Sequence, residues 1–399
     1  MQVGFYRDTW VEVNLDAIEH NVENMKKHIG DQVSLIAVVK ANGYGHGAKQ
    51  VAETALHAGA SMLAVAFIDE AISLRQQGIK APILVLGAIR ATDIELADKY
   101  NLIITCFSVD WLKEASKACV SHGIQLHIKV DTGMGRLGVR EENELKEIFS
   151  IVDSSPCFQI TGIYTHFATA DEDEPSYFLT QYERFQELLS FIPHHDLLVH
   201  CANSATGLKF PSKIYNAVRL GISMYGLSPS IEMKNSLPFE LEEAFSLQTK
   251  LVHVKKVPKG TKISYGATYE AKQDEWIGTL PIGYADGWIR KLKDSDVLID
   301  GKRLPLVGRI CMDQCMVRLP YELPVGTNVT LIGEQAGQKI SIDEVANRLE
   351  TINYEITCMI STRVPRIYIR NKRNWELSNP LLTNMTKEPL LLKYHQENE

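Results

Sequence analysis

Val33-Ser34-Leu35-Ile36-Ala37-Val38-Val39-Lys40-Ala41-Asn42-Gly43-Tyr44-Gly45-His46-Gly47 is the stretch on which the fold of this chain turns. Residues 33–39 are almost wholly apolar and too few for a typical helix, so they read as a strand buried on both faces. The run stops on a lysine, and three glycines follow that let the next loop come close to a ligand. Working outward, similar runs recur at 62–66, 83–86, 102–106, 126–130, 160–164, 197–200 and 217–220. Amphipathic segments separate them. Asp16 is the expected N-cap of a helix whose Ile18, Val22, Met25 and Ile29 recur at helical steps. Residues 177–191 put Phe178, Tyr182, Phe185, Leu188 and Leu189 on one stripe. Parallel strands require crossover helices. Eight strand–helix units match a closed (β/α)8 barrel of the TIM type better than an open doubly wound sheet. Periodicity alone does not show closure, so the open sheet stays as the alternative.

Near Pro238 the pattern changes. Strand-like runs at 251–257, 262–265, 276–281, 297–299, 304–307, 329–332 and 366–369 follow one another, with turns at Pro258-Lys259-Gly260 and Asp300-Gly301. Only residues 342–349 read as a helix. The expected organisation is α/β: an N-terminal strand (1–15) pairing with the C-terminal domain, a barrel over 16–245, a mostly β domain over 246–387, and a polar tail at 388–399. His194-His195 reads as a loop, and residues 171–174 as a solvated acidic turn.

The 399 residues are 45% hydrophobic and 23% charged, an ordinary composition for two domains that need no disulfides or structural metal. A formal net charge of −7 gives no reason to expect nucleic acid or an anionic membrane as partner. No stretch is apolar enough over enough residues to span a bilayer. Residues 1–10 mix acid, base and aromatics and lack the order of a signal peptide. Seven scattered cysteines suit a reducing cytoplasm. Cys311 and Cys315 are four apart with no second pair at zinc spacing, so buried strand cysteines are expected and no metal.

In a barrel the C-terminal strand ends form the active face. Lys40, Lys129, Arg136, His166, Ser204 and Arg219 all fall at or just beyond such ends. A lone lysine there could simply reach solvent; polar groups at successive strand ends point to a site. Ser204 and Gly221-Ile222, beside the last two strands, occupy the usual phosphate position of such barrels. A phosphate-bearing cofactor and an imine-forming lysine together point to pyridoxal 5'-phosphate.

Longer motifs carry a resemblance. They are Ala37-Val38-Val39-Lys40-Ala41-Asn42, Lys129-Val130-Asp131-Thr132-Gly133-Met134-Gly135-Arg136-Leu137-Gly138, Thr165-His166-Phe167-Ala168-Thr169-Ala170 and His200-Cys201-Ala202-Asn203-Ser204. Ser264-Tyr265-Gly266, Gly283-Tyr284-Ala285-Asp286-Gly287 and Gly308-Arg309-Ile310-Cys311-Met312-Asp313 continue the series. Over nearly its whole length the chain resembles the alanine racemases, fold type III pyridoxal-phosphate enzymes. Gly43 departs from the alanine common in that family and implies a looser loop.

The resemblance implies a homodimeric, cytoplasmic enzyme that interconverts L-alanine and D-alanine and supplies D-alanine for peptidoglycan. Lys40 would hold the cofactor and act as base on the D side; Tyr265, from the other subunit, would act on the L side. Removing a proton from one face and returning one to the other calls for two such bases. A tyrosine with a pKa of about 10 needs cationic neighbours, and His166 and Arg219 would supply them. Arg219 would face the pyridine nitrogen and leave it neutral. Arg136, oriented by a carbamylated Lys129, and the Met312 backbone N–H would hold the substrate carboxylate. Tyr44, Ser204, Gly221, Ile222 and Tyr354 would hold the phosphate, and Asp171, Tyr284, Arg290, Arg309 and Ile352, with Tyr354, would line the access corridor. A broader-specificity amino-acid racemase is the nearest alternative. A decarboxylase on the same scaffold is disfavoured by Arg219, a single-barrel cofactor carrier by the β-rich domain, and a metal hydrolase by the scarcity of strand-end His and Asp.

Overall fold

A computed structural model describes residues 4–193 and 196–383. The tail expected at 388–399 and the His194-His195 loop lie outside the described residues. The chain divides into two compact bodies: Ala17–Tyr44 with Ala48–Glu243, and Met1–Asp16 with Gly45–Gly47 and Ala244–Glu399.

The strand β1 (Thr9–Asn14) belongs to the second body. The first body holds eight parallel strands, β2 (Ser34–Val38), β3 (Met62–Val65), β4 (Ile83–Val85), β5 (Ile103–Cys106), β6 (Ile124–Lys129), β7 (Phe158–Tyr164), β8 (Leu198–His200) and β9 (Ala217–Leu220). Neighbours in sequence pair from β2 to β8, and β9 returns to pair with β2. A parallel bridge between Ala202 and Val218 brings the two ends of the sheet together. The sheet therefore curls into a barrel, and the open doubly wound alternative is excluded. Leu35, Ile36, Leu63, Ile83 and Leu84 are wholly buried. In β3 to β5 and β9 nearly every position is buried, so both faces are covered and the runs are apolar at consecutive positions instead of alternating.

One cap differs from expectation. The helix Leu15–Ile29 starts earlier, with Asp16 inside its first turn. Asn14 Oδ1 accepts the Asp16 N–H at 3.0 Å and so occupies the capping position, which Asn and Asp serve equally.

Among the described residues the second body holds an eleven-stranded sheet and a separate pair of short strands, Lys262–Ile263 with Tyr269–Glu270. Within it β1 lies between β10 (Phe245–Lys250), antiparallel, and Arg366–Arg370, parallel. Strands β10, Cys315–Leu319, Gln338–Ile340 and Arg373–Ser378 and the helix Asn353–Met359 are additional to the expected elements. In β10 buried positions alternate with partly exposed ones, so no continuous apolar run marks it in the sequence. Cys315 is buried on its strand, whereas Cys311 precedes that strand and is half-buried. Among the described residues no helix is long and apolar enough to cross a membrane.

Candidate active site

Arg219 organises the C-terminal mouth of the barrel. It sits on β9, is 4% exposed, and its planar fork reaches several strand ends at once. Nη1 donates to His200 Nδ1 at 2.8 Å and to His200 O at 3.0 Å. Nη2 donates to Thr165 O at 2.9 Å, Cys201 O at 3.1 Å and His166 Nδ1 at 3.1 Å. Burial lowers its pKa to about 10, so it stays a cation at neutral pH. Among the described residues Nε has no hydrogen-bond partner, which leaves one N–H of a buried guanidinium for an acceptor that enters the barrel.

Arginine can only donate, and this fixes the tautomers around it. His166 and His200 accept at Nδ1 and carry their protons on Nε2. His200 then donates from Nε2 to His127 Nδ1 at 3.0 Å, and the Tyr164 ring stacks on His200 at 4.7 Å. Desolvation, then Arg219, holds His166 and His200 well below 6.5; the same causes push His127 to about 3. All three are neutral imidazoles beside a cation, so of the two cationic groups expected from the sequence, His166 and Arg219, only Arg219 carries a charge. The sequence reading missed His127 and gave His200 no role. For His127 a signal was present in its spacing on β6, two residues before Lys129 and so on the same face.

Lys40 follows β2, with Nζ 6.0 Å from the Tyr44 ring centroid. Tyr44 packs on Tyr225 with centroids 4.8 Å apart. Ser204 Oγ accepts the Gly221 N–H at 2.9 Å, and Ile222 opens the 3-10 turn that follows. A Cβ on Gly221 would stand 2.9 Å from Tyr44 Oη. Two hydroxyls thus converge on the Gly221 backbone, where a side chain would crowd Tyr44 Oη, and together they make a cradle of donors of the kind that binds anions.

Lys129 is buried at the end of β6, where Nζ donates to Val130 O at 2.8 Å. Burial, then Arg219, lowers its pKa to about 7. Asp131 accepts the Gly133 and Gly135 N–H groups at 3.0 Å each and so folds the loop that leads to Arg136, which is exposed. Asp171 is partly exposed, and its carbonyl accepts Ser230 Oγ at 2.9 Å.

The second body carries the other expected residues. Tyr265 is 71% exposed on a tight turn in which Ser264 Oγ donates to Arg309 O at 2.6 Å. The amides of Tyr284 and Ala285 donate to Cys311 O and Met312 O at 3.0 Å each, which joins the Tyr284 turn to the Met312 loop. Gly283 is forced there, since its Cβ would fall 2.3 Å from both carbonyl oxygens. Arg7 Nη1 donates to the buried Asp286 Oδ1 at 2.7 Å, and Arg363 Nη2 donates to Asp313 at 2.7 Å. Tyr265, Arg309, Met312 and Tyr284 thus lie on connected loops. Tyr354 sits on the helix Asn353–Met359 and Ile352 just before it; Arg290 opens its own 3-10 turn.

Residues 13–229 match the family model for the alanine racemase N-terminal domain, and residues 244–368 match the C-terminal domain. The chain belongs to the alanine racemase family. It is 57% identical to alanine racemase of Anoxybacillus flavithermus, over 96% of this chain and all of the relative. It is 56% identical to alanine racemase 1 of Bacillus subtilis, over 95% of this chain and 97% of the relative. A crystal structure of Bacillus anthracis alanine racemase with bound L-Ala-P superposes with a TM-score of 0.92 at 52% identity, covering 95% and 99% of the two chains.

Alanine racemases depend on pyridoxal phosphate, and the barrel residues fit that group. The hydroxyl-lined cradle at Gly221 suits its phosphate, the Arg219 Nε–H suits an unprotonated ring nitrogen, and Lys40 lies beside the same Tyr44 ring.

Proposed function

We propose that this chain is a homodimeric, cytoplasmic racemase that interconverts L- and D-alanine and supplies D-alanine for peptidoglycan. Arg219 carries this reading: it is a buried permanent cation, ringed by neutral imidazoles, with one N–H left for an acceptor. Pyridoxal phosphate, when bound, makes the α-proton of an amino acid joined to it acidic. Lys40 Nζ takes or returns that proton on one face and Tyr265 Oη of a second copy on the other, since inversion requires a base on each side. His166, neutral and protonated on Nε2, is a donor suited to the Tyr265 oxygen. Arg219 holds its own proton too tightly to give it to the ring nitrogen, which limits the charge drawn into the ring and with it side reactions.

Lys129 has an uncharged fraction at neutral pH. Its amine can therefore form an N–C bond to carbon dioxide with release of a proton, giving a carbamate that orients Arg136 toward a substrate carboxylate. The Met312 N–H joins that contact, Tyr44, Ser204, Gly221, Ile222 and Tyr354 hold the phosphate, and Asp171, Tyr284, Arg290, Arg309 and Ile352 line the access path. The exposure of Tyr265, Met312 (52%) and Ile352 (62%) supports a partner surface.

Purified protein should be yellow and should carry solvent deuterium into the α-position of both alanine enantiomers. A colourless protein unchanged by added cofactor overturns the reading. The same exchange measured with other amino acids separates an alanine racemase from a broader one. Mixed Lys40→Ala and Tyr265→Ala chains should regain activity, and persistent inactivity would rule out shared sites.

A further inference from the structure

The four residues after Lys40 all lie in the left-handed region: Ala41 (φ 52°, ψ 48°), Asn42 (φ 53°, ψ 48°), Gly43 (φ 61°, ψ 47°) and Tyr44 (φ 50°). Only Gly43 takes that conformation freely; the other three crowd Cβ against backbone. Something must therefore hold the turn. Asn42 Oδ1 accepts the Ala48 N–H at 3.1 Å and closes its far end. At the near end Glu70 Oε1 accepts the Ala41 N–H at 2.6 Å. The other oxygen, Oε2, accepts the Ala66 N–H at 2.8 Å and the Phe67 N–H at 3.2 Å. One carboxylate thus ties the first peptide after Lys40 to the end of β3 and to the start of the helix Ile68–Gln76.

We propose that Glu70 is a positioning residue for Lys40. By binding the Ala41 N–H it holds the left-handed turn, and the turn sets the direction in which the Lys40 side chain leaves β2. The carboxylate is the fitting group because three N–H donors converge on it and it has no hydrogen to oppose them. Glutamine would set its own NH2 against one of those donors. Aspartate, one methylene shorter, can still cap the helix at Ala66 and Phe67 but cannot also reach Ala41. This inference rests on the reading of Lys40 as the reacting lysine.

Three variants of the full-length holoenzyme test it: Glu70→Asp, Glu70→Gln, and Glu70→Gln combined with Ala41→Gly. Amide hydrogen exchange across residues 40–48 reports the brace without reference to activity. In both single variants the Ala41 amide should exchange at least about tenfold faster. The turnover number kcat should fall between about tenfold and a hundredfold, the scale expected for a misplaced reacting group. KM, cofactor content and melting temperature should stay close to wild type. Glycine at 41 removes the steric cost of the turn, so the double variant should recover most of the lost kcat, a rescue that mere helix capping does not predict. Unchanged kcat in Glu70→Asp and Glu70→Gln overturns the proposal, as does a loss that Ala41→Gly leaves in place. If one single variant does not fold, the other carries the test. Wild-type protein that holds no cofactor and racemises nothing would instead defeat the reading of Lys40, while the exchange data would still report whether Glu70 holds the turn.

Discussion

Replacing Arg219 with lysine keeps the charge and removes the fork. The guanidinium makes five hydrogen bonds, to His200 Nδ1, His200 O, Thr165 O, Cys201 O and His166 Nδ1. An ammonium has three N–H groups at a single point, so at least two buried acceptors lose their donor. Each unmatched acceptor costs about 1–3 kcal/mol, giving about 2–6 kcal/mol for two. That is a large share of the ~5–15 kcal/mol by which domains are stable. For a domain of the barrel's size each kcal/mol lowers the melting temperature by about 2–4 °C, so the smaller cost already implies a fall of about 4–8 °C. Calorimetry on cofactor-free Arg219→Lys protein measures this apart from catalysis. Nitrogen NMR of the histidines should show His166 losing its single tautomer, because no fixed donor then faces Nδ1. A melting temperature within about 1 °C of wild type, with tautomers unchanged, would refute the view that the fork holds the mouth together.

Acid should destabilise the barrel early. His127, His166 and His200 are held below 6.5 in the folded state, so the unfolded chain binds more protons as pH drops beneath that value. Melting temperature should fall from pH 6.5 downward, less steeply in His127→Gln. Lys129 acts at the other end: its folded pKa of about 7 lies below the ordinary lysine value of 10.5. Stability should therefore rise with pH between about 7 and 10.5, a slope that Lys129→Met flattens, and carbon-13 bicarbonate should give a carbamate NMR signal only when Lys129 is present. Gly283→Ala forces the Cys311 and Met312 carbonyls to move, and KM for alanine should rise about tenfold, corresponding to ~1.4 kcal/mol of lost binding. Inorganic phosphate at about a hundred times its Kd should add about 2.7 kcal/mol to the cofactor-free protein, whereas chloride at equal ionic strength should not.

The barrel was legible because its strands are buried on both faces and so appear as unbroken apolar runs. The second body was less so: β10 alternates, and the short helix Asn353–Met359 carries too few turns for a period to show. At the site, the strand-end charges were visible as single residues, but their connections were not. His127 and His200 lie 73 residues apart, and only closure of the sheet brings their rings together. The turn after Lys40 was read as a glycine-rich loop. The residues that make it unusual are Ala41, Asn42 and Tyr44, and what holds it, Glu70, lies 29 positions from Ala41 on another strand–helix unit. No local pattern encodes a long-range hydrogen bond of that kind.

The electrostatics of the mouth form one arrangement. Burial first, and then Arg219, Lys129, Arg136 and Lys40, lower the pKa of His166, and among the described residues no carboxylate pairs with Arg219. Asp131, held by the amides of its own loop, raises the Lys129 pKa but only partly offsets the lowering by burial and Arg219. A cluster of cations in a buried setting has three consequences. Imidazoles in it stay neutral, a lysine in it gives up its proton near neutrality, and anions are drawn to it. Each agrees with the proposed function, in which a neutral His166 donates from Nε2, the Lys129 amine takes up carbon dioxide, and the mouth binds a phosphate and an α-carboxylate. A carboxylate in place of Arg219 would remove a cation from this cluster, and on the proposed reading it would also stabilise a protonated ring nitrogen in the bound cofactor. The residue that holds the strand ends together is therefore, on the proposed reading, also the one that faces the cofactor ring.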